Sequence, residues 1–312
     1  MTSVKRFLPL AGAAVGLLLL FRVFVPGFLD AQNLVDLAQQ ISVNAILAFG
    51  MTLVILIGGI DLSVGAVVAL VGTTTAYGLV SAGLGWSTPA AMMLGLGVAA
   101  VFGLAHGMCA AWTRMPPFII TLGTMMVARG CALRFNEGRP LNIPDQHSAF
   151  LAIGNGRLFD LLPVPVLIML VLFAVMTLLL HTTVFGRHIY AIGGNRTAAL
   201  YSGVPVARCQ IFVYLLASLL AGMAGMIHTS QLYSAEPASG VNFELNAIAA
   251  AVVGGTSFNG GIGTLPGTLI GAVIIGILDK GLNQAGVHFS LQYILKGLVI
   301  LAAVYLDVRR RK

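Results

Sequence analysis

The chain has 312 residues, of which 58% are hydrophobic and only 9% charged, and its mean hydropathy is +0.96. A soluble globular domain carries roughly 25% charged residues, so the composition excludes an ordinary pair of soluble domains and makes lipid the solvent. The formal net charge of +7 offers no basic face on a soluble domain, as nucleic-acid binding would need, and it reads as a topology signal.

A membrane-crossing helix needs ~20 mostly apolar residues. Splitting the apolar runs at their Gly, Pro and polar clusters predicts an all-α, polytopic membrane protein. It has one transmembrane domain (1–312) and about ten spans. In chain order these are Phe7–Leu29, Leu37–Gly58, Val64–Ala82, Pro89–Trp112, Pro117–Phe135, Val164–His181, Gln210–Ser230, Val241–Gly254, Thr264–Leu282 and Leu291–Leu306. Lys5-Arg6 ahead of an apolar run is reminiscent of a signal peptide. The run is longer than a usual signal core and shows no small-x-small cleavage site before Pro26, so it reads as a retained first helix. Cys109, Cys131 and Cys209 are scattered and odd in number, which suits apolar packing and neither disulfides nor a metal spacing.

Basic residues set the orientation. Lys5 and Arg6 precede the first span, Arg309, Arg310, Arg311 and Lys312 follow the last, and an even span count puts both ends on one side. Arg114 after span four, and Arg187, Arg196 and Arg208 after span six, fall on that same side, which the positive-inside bias makes cytoplasmic. The opposite loops are mixed. The predicted periplasmic loop 136–163 holds Arg139 and Arg157 with Glu137, Asp145 and Asp160, and Tyr233–Gly240 holds Glu236.

Enzymatic machinery is missing from the sequence. There is no G-x-x-x-x-G-K-[ST] to hold ATP phosphates, no H-E-x-x-H and no G-x-S-x-G elbow. The glycine-rich Gly254–Gly267 lacks the strand-then-helix setting of a dinucleotide site. The six histidines are dispersed, more as interface or loop residues than as metal ligands. Asn195-Arg196-Thr197 matches a glycosylation acceptor, but its predicted cytoplasmic position makes that a chance match.

Transport remains. Polar residues within lipid-facing spans are costly and mark a pathway or a packing interface. Asn44, Asp61, Ser63, Glu244 and Asn246 are the candidates for a translocation path or its gate. Arg129 and Glu244 are candidates to neutralise one another, and Arg22 and Lys296 to snorkel toward an interface. In Val54–Gly65 (VILIGGIDLSVG), Gly58 and Gly59 end one helix, and Asp61 or Ser63 is expected to cap the next. A second interruption of the same form, Gly254–Gly261, follows later. Paired Gly-broken segments point weakly to a transporter. Phe185–Arg208 is long for a connector. Its Gly193-Gly194 breaks the chain, Asn195 is a good N-cap, Arg196–Ser202 a short helix, and Gly203 suits the C′ position. The alanine pair Ala198-Ala199 would let that helix lie on the membrane or dock closely in a groove of a soluble partner.

Three stretches carry a resemblance: SVNAILAFGMTLVILIGGIDLSVGAVVAL (42–70), FGRHIYAIGGNRTAALYSGVPV (185–206) and FELNAIAAAVVGGTSFNGGIGTLPGTLIGA (243–272). Over nearly its whole length the chain resembles the membrane permease of ribose-type ABC sugar importers. The resemblance implies a bacterial inner-membrane location. It also implies a second permease copy, a cytoplasmic ATP-binding cassette subunit and a periplasmic sugar-binding protein. ATP and magnesium would be used by the cassette, with no cofactor on this chain. Gly194–Gly203 would be the coupling helix, so Gly193, Gly194, Asn195, Arg196, Ala198, Ala199 and Gly203 are the candidate ATPase-coupling residues. The rival readings are a stand-alone secondary transporter, an intramembrane enzyme, or the same ABC permease with a non-aldose substrate. The sequence leaves a homodimer or a related pair open.

Overall fold

The computed structural model describes residues 7–80, 83–113, 115–159 and 162–309. Lys5, Arg6, Ala82, Arg114, Asp160, Arg310, Arg311 and Lys312, which bear on the predicted span ends and topology, lie outside those residues. The described chain forms thirteen α-helices. In order they are α1 (Leu8–Phe24), α2 (Ala31–Leu56), α3 (Val64–Leu79), α4 (Thr88–Trp112), α5 (Pro117–Arg134), α6 (Ser148–Asn155), α7 (Val164–Thr182), α8 (Val184–Gly194), α9 (Arg196–Tyr201), α10 (Val206–Gln231), α11 (Phe243–Val253), α12 (Leu265–Gln284) and α13 (Phe289–Arg309).

Local sequence accounts for many helix starts. Proline occupies the first turn of α1, α4, α5, α7 and α12, where its missing N–H goes unneeded and its fixed φ suits the helix. Helices α2, α4, α5 with the 3-10 turn after it, α7, α10 and α12 are long and apolar enough to cross a membrane. Four shorter apolar helices are α1, α3, α11 and the first part of α13, Phe289–Ala302.

Helix α10 is the hub, packing on α4, α2 and α3. Close approach there uses small residues, as interhelical packing in lipid generally does. The Cα of Gly50 faces Ala217, and Gly103 and Gly107 face Leu215 and Ile211. The second half of α2, Ala45–Leu56, is buried. By contrast, α4, α5 and α7 are buried along only a minor part of their surface and turn residues such as Met126, Val171 and Leu178 outward.

The predicted opposite-side loops meet one another. Strand β1 (Leu141–Asn142) pairs antiparallel with β4 (Ser234–Ala235), with Leu141 opposite Ala235. Arg157–Leu158 (β2) pairs with Leu162–Pro163 (β3).

Several boundaries differ from the sequence reading: α1 ends at Phe24, short of the expected Leu29, and α2 begins at Ala31, ahead of the expected Leu37. Gly193-Gly194 does not break the chain: α8 runs through both and stops at Asn195, whose φ of −160° leaves the helix. Gly193 is packed against backbone, where no side chain would fit, while Gly194 faces open space.

Candidate translocation site

The first helix break is a buried knot of backbone and polar side chains. Gly58 closes the end of α2 with φ +79°, a conformation that favours glycine. After Gly59 the chain has no regular secondary structure through Asp61 and Leu62. Ser63 occupies the N-cap position of α3 but makes no side-chain cap bond, because its backbone is helical (φ −85°, ψ −13°) where a cap requires extended geometry. Its N–H and hydroxyl both donate to Asp61 Oδ1, at 2.8 and 2.6 Å. The capping role expected of Asp61 or Ser63 is therefore replaced by a turn that the two residues close between themselves.

Helices distant in sequence enclose this turn. The Leu62 N–H donates to Thr121 Oγ1 at 3.1 Å, and that hydroxyl lies 3.2 Å from the Ile60 carbonyl. His106 Nδ1 stands 3.9 Å from Asp61 Oδ2, while its Nε2 lies 2.6 Å from Thr124 Oγ1. Tyr214 packs edge-to-face on His106, with ring centroids 6.3 Å apart. Asp61, Ser63, His106, Thr121 and Tyr214 are all fully buried.

The second break joins the first. The Gly261 N–H donates to the Leu56 carbonyl at 2.9 Å. Gly193, near the end of α8, is wedged against the same Leu56 carbonyl and against Gly261. Tyr190, one turn earlier, donates its hydroxyl to the Gly263 carbonyl at 2.8 Å. The end of α2, the glycine-rich segment before α12 and helix α8 thus form one junction.

Beyond it, α9 is capped as its sequence suggests. Asn195 Oδ1 accepts from the Ala198 N–H at 2.9 Å, and Gly203 ends the turn with φ +81°. Arg196 donates to Gln210 Oε1 at 3.0 Å, tying α9 to α10. The alanine pair divides: Ala199 is buried against the protein, so it cannot offer a docking face, and Ala198 stays exposed. Leu200 and Tyr201 project instead, at 60% and 86% exposure.

A polar cavity of about 470 Å³ lies among α2, α6, α10, α11 and α12. Asn44 and Asn246 line it with Gln39, Asn155, His228 and Asp279. Asn44 Oδ1 is buried with no hydrogen-bond partner among the described residues. Asn246 Nδ2 is 3.5 Å from Asp279 Oδ2. Phe243, also in the wall, meets the His228 ring edge-to-face at 5.2 Å. On the far side of Asp279 stands Lys296, its Nζ 2.8 Å from Asp279 Oδ1. Lys296 therefore does not snorkel: an acid within reach on α12 holds its ammonium inside the bundle.

The remaining candidates lie elsewhere. Asp61, Ser63, Gly58 and Gly59 belong to the first break and do not line the cavity. Glu244 points at Gly65 and Gly240, where α3 meets the turn before α11. Arg129 donates to the carbonyls of Pro237 and Ser239 at 2.8 and 2.6 Å, pinning that turn, and has no ion pair with Glu244 within 4.0 Å.

Residues 33–304 match the family described as "Branched-chain amino acid transport system / permease component". The chain belongs to this permease family. Three relatives are each named ribose import permease protein RbsC. That of Bacillus subtilis (strain 168) is 45% identical over 94% of this chain and 90% of its own length. That of Haemophilus influenzae (strain ATCC 51907 / DSM 11121 / KW20 / Rd) is 42% identical over 98% and 95%, and that of Escherichia coli (strain K12) is 44% identical over 92% and 88%. No solved structure gives a significant match. Family membership and the apolar helices make the chain a multi-pass permease of a bacterial inner membrane, of the ABC importer class.

Sequence reading missed His106, Thr121 and Tyr214 around the permease's first break, and Asn155, His228 and Phe243 around its cavity. A buried histidine beside an acid is a recognisable pair, but His106 sits on α4 and Asp61 in the break between α2 and α3, and one sequence carries no sign of their approach.

Proposed function

We propose that this chain is the membrane-spanning subunit of an ATP-driven importer that carries ribose, or an aldose close to it, from periplasm to cytoplasm by alternating access. The observation that carries the reading is the cavity of about 470 Å³ lined largely by polar side chains. Carboxamides supply both donors and acceptors, and those of Asn44, Asn155 and Asn246 suit a neutral, hydroxyl-rich solute. The relatives named as ribose permeases narrow that solute to a pentose-type sugar.

In this reading the chain is a single domain with ten crossings and cytoplasmic termini, and it works as one of two permease copies. A cassette ATPase binds ATP and magnesium and docks on α9, where Leu200 and Tyr201 project. Closure of the cassettes moves α8, and the glycine junction carries the movement to both helix breaks. A sugar-loaded binding protein docks on loops 136–163 and 233–240. Asp61, Ser63, Gly58, Gly59 and Glu244 shape the gate, and Asn44 and Asn246 the path.

The test is reconstitution of the permease with its cassette ATPase and binding protein in lipid vesicles, followed by uptake of labelled ribose. ATP-dependent uptake that unlabelled ribose suppresses more strongly than other sugars or polyols supports the proposal. Suppression by a non-aldose alone would reassign the substrate. Uptake by the permease alone, driven by an ion gradient, would overturn the ABC assignment in favour of a secondary transporter.

A further inference from the structure

A second, larger cleft of about 1010 Å³ opens between α3, α4 and the C-terminal end of α5. Its walls are apolar, formed by Leu70 from α3 and by Leu94, Val98, Val101 and Phe102 from α4. Val101 is 65% exposed, in a chain whose surroundings at that depth are hydrocarbon. The Thr74 hydroxyl in the wall donates to the Leu70 carbonyl at 2.7 Å, which keeps that stretch of the cleft apolar.

Polar groups gather at one end only, where Tyr77, Arg134 and Asn136 line the cleft. Arg134 ends α5, is exposed, and has no carboxylate within 4.0 Å among the described residues. Trp86 marks the same level. Its backbone N–H donates to the Gly78 carbonyl beside Tyr77, at 2.7 Å, and its side chain is 45% exposed. Tryptophan and tyrosine at one level are characteristic of the membrane–water interface. An unpaired guanidinium at that level matches a phosphate in geometry and charge.

We propose that this cleft holds one anionic phospholipid, with its acyl chains along α3 and α4 and its phosphate against Arg134. A helix from a second copy of the chain is the competing occupant. It would have to cover the Arg134 charge in a cleft that contains no carboxylate to meet it.

The two tryptophans, Trp86 and Trp112, provide the measurement. Trp86 lies just before α4 and Trp112 ends it, and the helix between them is about 36 Å long. In full-length Trp112→Phe protein in lipid nanodiscs, Trp86 is the sole indole and reports on lipid beside the Tyr77 end of the cleft, to which its backbone bond to Gly78 ties it. Brominated phosphatidylglycerol should quench it with an apparent affinity about fivefold above brominated phosphatidylethanolamine, the effect of one cation near an anionic headgroup. Arg134→Gln should reduce that ratio to about one. Gly97→Leu fills the cleft from α4, where an added Cβ meets no atom within 4 Å, and should weaken quenching by both lipids. A monodisperse elution profile checks its fold. Equal quenching by the two lipids before any Arg134 change, or a preference that survives Arg134→Gln, overturns the proposal. A Trp86 that neither lipid reaches, in a dimer that Gly97→Leu dissociates, overturns it in favour of a protein interface.

Discussion

Asp61 is a buried acid whose Oδ1 already takes two donors from Ser63. Removing such a buried acceptor leaves the donors unmet, at a cost of about 1–3 kcal/mol. Asp61→Ala is therefore expected to lower the melting temperature in detergent. It should lower sugar uptake more than it lowers the amount of protein in the membrane, because the turn it holds sits in the proposed gate. Equal losses of uptake and abundance, measured on the same membranes, would leave Asp61 with a folding role only. The Asp279–Lys296 pair allows a cleaner test. Both side chains are mostly buried, at 16% and 22% exposure, and taking away one partner strands the other charge. With that remaining exposure, Lys296→Met is expected to destabilise the protein by up to about 3 kcal/mol. Adding Asp279→Asn should recover most of the loss, as a double-mutant cycle in thermal unfolding would read. A double variant no more stable than Lys296→Met would mean that Lys296 matters for packing and not for charge. This pair also marks a limit of the sequence: Lys296 alone looks like a snorkelling residue, and only the packing of α13 on α12 gives it an acid.

At the scale of elements, the glycine junction links the coupling segment to both helix breaks. A Cβ on Gly193 would collide with the Leu56 carbonyl and with Gly261, whereas one on Gly194 meets nothing within 4 Å. The two neighbours form a matched pair. Gly193→Ala should pry α8 from the end of α2, so that the reconstituted complex hydrolyses ATP with little sugar uptake. Gly194→Ala should leave both activities close to those of the unaltered complex. Similar uptake-to-hydrolysis ratios in the two variants would remove the junction from the transmission path. Much at this scale was legible in advance. The order of apolar helices, the break at Gly58-Gly59 and the Asn195-capped α9 all follow from local signals: run length, glycine and a capping side chain. The junction itself was not legible, because a hydrogen bond from Gly261 to Leu56 joins backbone atoms, to which side-chain identity gives no clue. The same holds for Asn44 and Asn246. Each is visible as a polar residue in an apolar run, but that they line one cavity with Asn155 and His228 depends on how α2, α6, α10 and α11 pack.

At the scale of the whole molecule, pairing of β1 with β4 brings the loop after α5 against the loop after α10. Helices cross a bilayer end to end, so elements joined in this way share a face of the membrane. If the crossings alternate from there, α9 is expected on the opposite face, and the positive-inside bias, with Arg187 and Arg196 nearby, predicts that face to be cytoplasmic. The orientation can be measured with an impermeant thiol reagent on intact spheroplasts. The native cysteines must first be replaced, since Cys131 is exposed. In that background Gln146→Cys, on the exposed 3-10 turn before α6, is expected to label in intact cells. Tyr201→Cys, at a position 86% exposed in the native chain, should label only after the membrane is opened. The reverse pattern would invert the protein and with it the direction of transport. Labelling of both positions from outside would remove one crossing between α6 and α9, and α7 is the one helix there long and apolar enough to make it.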